Sequence, residues 1–229
     1  MSAVIELTGV RFRHAGGADG TPAFELNIDE LSVRAGEVAA CIGPSGSGKT
    51  TMLDVIAGIN HPESGCVVVA GHDMTGLDLA GRRWVRLREV GLVFQTLALV
   101  EYLSAFENIL LPYFVEPALN RDRKATDRAR MLADQLEIGH LLKRRPKRLS
   151  QGERQRVAIC RALVTAPRVL LCDEPTGNLD PARKDRTIDL LLEAARSSEA
   201  AVLMATHDHS LLPRFDTVID MASLSRSAS

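Results

Sequence analysis

Along the first third of the chain, short apolar-rich segments alternate with turn residues: 4–12, a glycine-rich break at 16–21, then 24–33. Segments of that length bounded by turn formers predict strands, here of an antiparallel sheet. The apolar run 38–42 predicts another strand and the stretch 50–57 a helix; 65–70 (Gly-Cys-Val-Val-Val-Ala) is a further strand, closed by Gly71. Residues 77–88 turn helical and basic and lead into a short strand at 90–94. From 95 to 149 strand signals stop, and a helical pattern runs with breaks at Pro112, Pro117 and Pro146. After Ser150 helices and strands alternate: helix 151–163, strand 168–172, helix 181–196, strand 201–205, a short helix, and a last strand at 217–220. That alternation predicts a mostly parallel α/β core. The expected organisation is one domain: a core from 1–94 and 151–222 that includes the antiparallel β subdomain, an inserted α-helical subdomain at 95–150, and a frayed polar tail at 223–229.

Composition acts mainly by exclusion. The 229 residues are 45% hydrophobic and 25% charged with a formal net charge of −1, ordinary values for a soluble globular protein and no overall charge that calls for nucleic acid. Without an 18-residue apolar stretch or a basic-then-apolar leader, the chain is expected to stay in the cytosol. Cys41, Cys66, Cys160 and Cys172 are widely spaced, three of them in apolar runs, and lack paired metal-ligand spacing, which predicts buried reduced thiols rather than a disulfide or zinc site. The basic clusters at 121–130 and 143–148 read first as solvated helix faces. Contact with an acidic partner or anionic headgroups is the second reading.

The chemistry begins at Gly43-Pro44-Ser45-Gly46-Ser47-Gly48-Lys49-Thr50, followed by Thr51, between the strand 38–42 and the helix 50–57. Glycines 43, 46 and 48 let backbone N–H groups turn inward around phosphate oxygens, Lys49 can reach the terminal phosphates, and the Thr50 hydroxyl can hold Mg²⁺. The helix that follows adds about half a positive charge at its N-terminus. Nucleoside triphosphate binding is therefore expected.

A second constellation is Val169-Leu170-Leu171-Cys172-Asp173-Glu174, a buried strand that ends in adjacent carboxylates. At a strand's end two neighbouring acids can serve one site from different angles. Asp173 is placed to hold Mg²⁺ through water and Glu174 to orient or deprotonate an attacking water. A third is Leu149-Ser150-Gln151-Gly152-Glu153-Arg154, a turn that opens an amphipathic helix. Free N–H groups, the Ser150 hydroxyl and the helix dipole make that opening an anion site. Two phosphate-binding helix tips but one lysine-bearing loop suit a head-to-tail dimer.

On these motifs the chain resembles, over nearly its full length, the nucleotide-binding subunits of ATP-binding-cassette transporters. The resemblance implies a P-loop NTPase (RecA-like) core with an antiparallel β subdomain and an inserted α-helical subdomain, ATP and Mg²⁺ as ligands, and ATP hydrolysis. It implies a second copy of the chain closing over each nucleotide, with Ser150 and Gly152 on the γ-phosphate held by the other copy. It also implies integral membrane permease subunits as partners, membrane contact only through them, no nucleic acid, and a peripheral place on the cytoplasmic face of the inner membrane. Gln95 matches the glutamine that reaches Mg²⁺, Asp180 of Pro175-Thr176-Gly177-Asn178-Leu179-Asp180 matches the loop that crosses the dimer interface, and His207 of Ala205-Thr206-His207-Asp208 matches the histidine on the γ-phosphate. Two positions depart from the pattern: Gln151 stands where glycine is usual, and His14 stands where a tyrosine stacks on adenine, with Phe12 the other candidate.

Within that family, Val93-Phe94-Gln95-Thr96-Leu97-Ala98-Leu99, Ser104-Ala105-Phe106-Glu107-Asn108-Ile109, Pro112 and Thr176-Gly177-Asn178-Leu179-Asp180 are similar to the lipoprotein-releasing and macrolide-exporter type, in which ATP hydrolysis moves periplasmic parts. An ATPase subunit of an export or extraction complex is the implied function. The alternative is a cell-division type ATPase that drives a non-transporting membrane partner regulating wall hydrolases. The apolar stretch 97–103 is where the partner's coupling helix would dock.

Overall fold

The computed structural model describes residues 2–14, 24–116, 118–176 and 181–224, with 181–183 described by backbone alone. In chain order its strands and α-helices are β1 (Ala3–His14), β2 (Phe24–Arg34), β3 (Val38–Ile42), α1 (Lys49–Ile56), β4 (Ser64–Val69), β5 (His72–Asp73), α2 (Leu79–Glu89), β6 (Val90–Val93), α3 (Ala105–Ile109), α4 (Leu111–Val115), α5 (Arg123–Gln135), α6 (Gln151–Leu163), β7 (Val169–Asp173), α7 (Pro181–Ser197), β8 (Ala201–Ala205) and β9 (Thr217–Asp220).

They form an antiparallel sheet in the order β2-β1-β4-β5 and a parallel sheet in the order β6-β7-β8-β3-β9. β1 and β2 pair with Val10 opposite Ile28 and His14 opposite Phe24. β2 alternates buried and exposed positions over most of its length, as a strand with one face on the core and one in water must. β3, β7 and β8 are buried apart from the last residues of β3 and β7, which explains their uninterrupted apolar sequences.

Successive residues of those strands feed two different cores, because side chains alternate faces. Val38, Leu170, Cys172, Val202 and Met204 join α3, α5, α6 and α7 in one cluster. Ala39, Cys41, Val169, Leu171, Leu203 and Ala205 join α1 and the antiparallel sheet in the other. The parallel sheet is thus a partition with α3, α5, α6 and α7 on one side and the β subdomain, α1 and Val85 of α2 on the other. Close approach fixes α6 on β6: a Cβ at Gly91 would stand 2.3 Å from the Ala162 carbonyl oxygen. Any side chain there would push α6 off the sheet.

The insertion is helical, though less continuously than the pattern of 95–149 predicts. Residues 95–104 are irregular and are stapled from within: buried Asn108 accepts from Val100 N–H and donates to the carbonyls of Val100, Leu103 and Ser104. Arg161 on α6 donates to the Leu97 and Ala98 carbonyls, both at 2.7 Å. Pro112 sits in the first turn of α4, where its missing N–H costs nothing, and Pro146 opens a short 3₁₀ turn at Pro146–Arg148, so each begins an element instead of interrupting one. Pro117 lies outside the described residues, as do the 16–21 break and residues 225–229. The tail expected to fray from 223 is ordered at its start. Ser223 closes a 3₁₀ turn, and Leu224 is buried with its carbonyl accepting from Asp29 N–H at 2.9 Å.

Candidate functional site

Parallel pairing brings the carboxyl ends of β3, β7 and β8 side by side, with Ala205 opposite both Cys41 and Asp173. In an open α/β sheet that edge is where ligands bind. The loop after β3 bends back on itself through positive φ at Gly46 (80°) and Gly48 (95°), and α1 starts at Lys49. Lys49 is 6% exposed, and its ammonium donates to the Gly43 and Pro44 carbonyls at 2.7 and 3.0 Å. The lysine therefore lies across the mouth of the loop, already oriented for an anion. Pro44, Ser45 and Gly46 are exposed at the rim, and Thr51 is half-buried behind it. The Ser47 hydroxyl oxygen is buried and lacks a hydrogen-bond partner among the described residues. A buried hydroxyl in a phosphate-sized cradle, beside an ammonium, fits a phosphate oxygen as its missing partner.

Asp173 and Glu174, neighbours in sequence, diverge as strand ends allow. Thr50 donates through Oγ1 to Asp173 Oδ2 at 2.9 Å, bridging α1 to β7. Burial raises the Asp173 carboxyl above the usual carboxylate range and the Glu174 charge adds to this, while the Thr50 hydrogen bond and Lys49 pull it down. Glu174 turns the other way, and its Oε1 lies 2.9 Å from His207 Nδ1. Its backbone has φ 43°, a left-handed conformation for a residue with a Cβ, and is held there by Glu174 N–H donating to the Ala205 carbonyl at 3.0 Å. Such strain costs about 1–3 kcal/mol and concentrates at functional sites. The Glu174 side chain is 20% exposed and that of His207 65%, so both open to the crevice.

Other predicted residues sit at different distances from this centre. Gln95 is exposed, immediately after Phe94, which lines a small cavity with Thr50, Asp54 and Asp173. His14 is exposed at the end of β1, its ring edge-on to Phe12 at 4.6 Å and tilted against Phe24 at 6.4 Å. Phe24 in turn abuts the loop, since a Cβ on Gly48 would lie 2.7 Å from its Cζ. His14 thus borders the cradle through Phe24.

Ser150 and Gly152 lie elsewhere in the chain. Ser150 caps α6 in a capping box: its N–H donates to Glu153 Oε2 at 2.7 Å and its hydroxyl accepts from Glu153 N–H at 3.4 Å. Among the described residues no hydrogen bond joins the 150–152 tip to the 43–51 loop. Asp180 lies outside the described residues.

Two members of the site were not singled out in the sequence. Asp54 stands one turn after Thr50 on α1, and burial, then the Asp173 charge, push its carboxyl up. The Thr50–Asp54 spacing on one helix face was the available signal. Phe24 gave none, since its role comes only from the fold.

A hydroxyl and a carboxylate in contact beside a phosphate cradle are hard oxygen donors, the kind Mg²⁺ takes one or two of from protein. Among the described residues no group of three or more His, Cys, Asp or Glu could hold a metal ion. A cation at Thr50 and Asp173 would take its remaining ligands from nucleotide and water.

Comparison with known proteins agrees with this geometry. The sequence profile described as ABC transporter matches residues 26–177. The lipoprotein-releasing system ATP-binding protein LolD of Ruegeria pomeroyi is 40% identical over 220 residues, covering 95% of this chain and 94% of that protein. LolD of Paramagnetospirillum magneticum is 42% identical over 192 residues, 84% of each chain. Among solved structures, the dimeric post-hydrolysis state of the ATP-binding cassette MJ0796 bound to ADP and Pi superposes with a TM-score of 0.83 at 29% identity, covering 94% of this chain and 93% of that one.

Proposed function

This chain belongs to the ABC transporter family and is an ATP-hydrolysing, nucleotide-binding subunit of LolD-like type; from that premise we propose that it powers a bacterial lipoprotein-extracting complex as a pair of copies closed over two ATP molecules. The observation that carries the catalytic assignment is the divided end of β7, with Asp173 against Thr50 on one side and Glu174 against His207 on the other. Identity to LolD proteins over nearly the whole length supports the choice of cargo class.

In this reading the 43–51 loop cradles the phosphates and Lys49 faces the terminal ones. Glu174 exchanges its His207 contact for a water and orients or deprotonates it. The water oxygen bonds to the γ-phosphorus, the bond to the β–γ bridging oxygen breaks, Glu174 takes the proton, and ADP and phosphate form. His207 and Lys49 stabilise charge on the transferring group. Thr50 and Asp173 would hold Mg²⁺, with Gln95 near it, and the ion when bound neutralises phosphate charge. Asp54 rounds off the carboxylate side of that pocket. His14 borders the base. Ser150 and Gly152 of the second copy would complete each site, their helix tip offering free N–H groups to the γ-phosphate, and Asp180 would lie at the shared interface.

The dock expected at 97–103 is largely taken up by packing, with Leu97 buried and Leu99, Val100 and Leu103 half-buried; the membrane partner would instead enter the apolar cavity of about 230 Å³ lined by Leu87, Leu92, Phe94, Ala98, Leu111 and Val115, which adjoins Gln95. No helix among the described residues is long and apolar enough to cross a membrane. Attachment to the cytoplasmic face of the inner membrane would therefore go through that partner. Glu174→Gln should lower ATP turnover by about 10²-fold or more with nucleotide binding kept. Equal turnover in variant and parent would remove Glu174 from the chemistry.

A further inference from the structure

We propose that Lys184 is a positioning residue for His207: it clasps the loop that carries the histidine to the first turn of α7. The inference rests on the reading above, in which His207 acts on the γ-phosphate.

Lys184 and Asp208 form an ion pair between side chains that are 25% and 19% exposed. Asp208 directly follows His207 and is the organising residue of its loop. Its N–H donates to Thr206 Oγ1 at 3.0 Å, and its Oδ1 accepts from Ser210 N–H and Oγ at 2.9 and 2.7 Å. Thr206 is itself buried, with its N–H on the Cys41 carbonyl at 3.0 Å. Both neighbours of His207 are therefore fixed, while the imidazole between them stays largely exposed with Glu174 as its partner. The 3₁₀ turn that continues the loop, His209–Arg214, is tied to α7 at its far end too, where Arg214 donates to Asp185 at 2.8 Å and to Asp189 at 3.0 Å.

The two ties differ in kind. Arg214 meets carboxylates that are more than half exposed, and pairs of that sort contribute little. The Lys184–Asp208 pair is mostly withdrawn from water, so losing the cation leaves a carboxylate that must find new partners. The cheapest response is for residues 206–210 to shift, and the histidine shifts with them. A displacement of about 1 Å at a catalytic group can cost up to 10²-fold in rate. Among the described residues no hydrogen bond or ion pair joins Lys184 to the phosphate cradle or its Lys49, so nucleotide affinity should be spared.

The test uses the full chain with Lys184→Met, Lys184→Arg, and Lys184→Met combined with Asp208→Asn, each measured for kcat, KM for ATP, and melting temperature. Lys184→Met should lower kcat about tenfold with KM within about twofold, and lower melting by no more than a few degrees because the loop relaxes around the freed carboxylate. Lys184→Arg should restore kcat to within about threefold, and the double variant should be no worse than Lys184→Met alone. A Lys184→Met enzyme within twofold of the parent in kcat, a change confined to KM, or a loss that tracks lowered melting and is not restored by arginine would overturn the proposal. If Lys184→Met does not fold, Lys184→Gln carries the same expectations. Glu174→Gln run alongside separates the two levels. Turnover lost in Glu174→Gln but kept in Lys184→Met sinks the positioning role alone, whereas turnover kept in Glu174→Gln removes the site reading and the positioning role with it.

Discussion

Alanine at Gly48 tests whether the cradle has the shape described. Gly48 holds φ 95°, and a Cβ there would lie 2.7 Å from Phe24 Cζ and 3.1 Å from Leu26 Cδ1. Gly46 holds φ 80°, yet a Cβ there meets nothing within 4 Å. Both substitutions carry the left-handed backbone penalty of about 1–2 kcal/mol. Only Gly48→Ala adds crowding, about 1–3 kcal/mol, with the low end applying if the Phe24 ring swings aside. The expected losses are therefore about 1–2 kcal/mol for Gly46→Ala and about 2–5 kcal/mol for Gly48→Ala. Urea unfolding without nucleotide, followed by the fluorescence of Trp84, the only tryptophan, measures both. Phe24→Leu introduced into Gly48→Ala should recover most of the difference, because it shortens the side chain that the new methyl meets. Equal losses in the two glycine variants, or no recovery from Phe24→Leu, would refute the packing of Phe24 on the loop and with it the placement of His14 beside the nucleotide.

Other outcomes follow from the same geometry. Because burial, then Glu174, raise the Asp173 carboxyl, the folded chain holds that proton more tightly than the unfolded chain does, so stability falls as pH rises through the raised pKa. Asp173→Asn should therefore melt higher than the parent near neutral pH without nucleotide, by about 2–4 °C per kcal/mol of relieved charge, with the gain shrinking toward about pH 4. The same variant should lose ATP hydrolysis, and a melting gain independent of pH would contradict the assignment. Ser150→Arg removes the α6 cap, at a cost of about 0.5–2 kcal/mol. It should abolish ATP-driven dimerisation while a single chain still binds nucleotide, which light scattering and nucleotide titration together would check.

The sheet, the cradle and the two acids are legible in the sequence for physical reasons. β3 and β7 lie between layers and must be apolar throughout, so their sequences stop abruptly where the strands reach the crevice, and the residues just past them carry the chemistry. α6 is equally plain, because Ser150 and Glu153 encode its start as a reciprocal cap. What stays hidden is whatever depends on one element meeting another. Gly91 looks like any strand glycine until α6 lies against it, and Asp54 looks like a surface acid until β7 brings Asp173 beside it. Lys184 reads as one more charge on an exposed helix, and Phe24 as the first residue of a strand. The short helices of 95–150 blur for another reason: buried Asn108 and half-buried Arg161 hold irregular backbone there by hydrogen bonds that leave no periodic trace.

The central claim is that one copy's lysine-bearing loop and another copy's Ser150 tip enclose the same ATP. Sedimentation velocity of Glu174→Gln, with Mg²⁺ and ATP and then with Mg²⁺ and ADP, tests it most directly. A dimer with ATP that returns to monomer with ADP is the expected result, and it should disappear when Ser150→Arg is added. A monomer at saturating ATP, with the membrane partner present as well as absent, would contradict the claim.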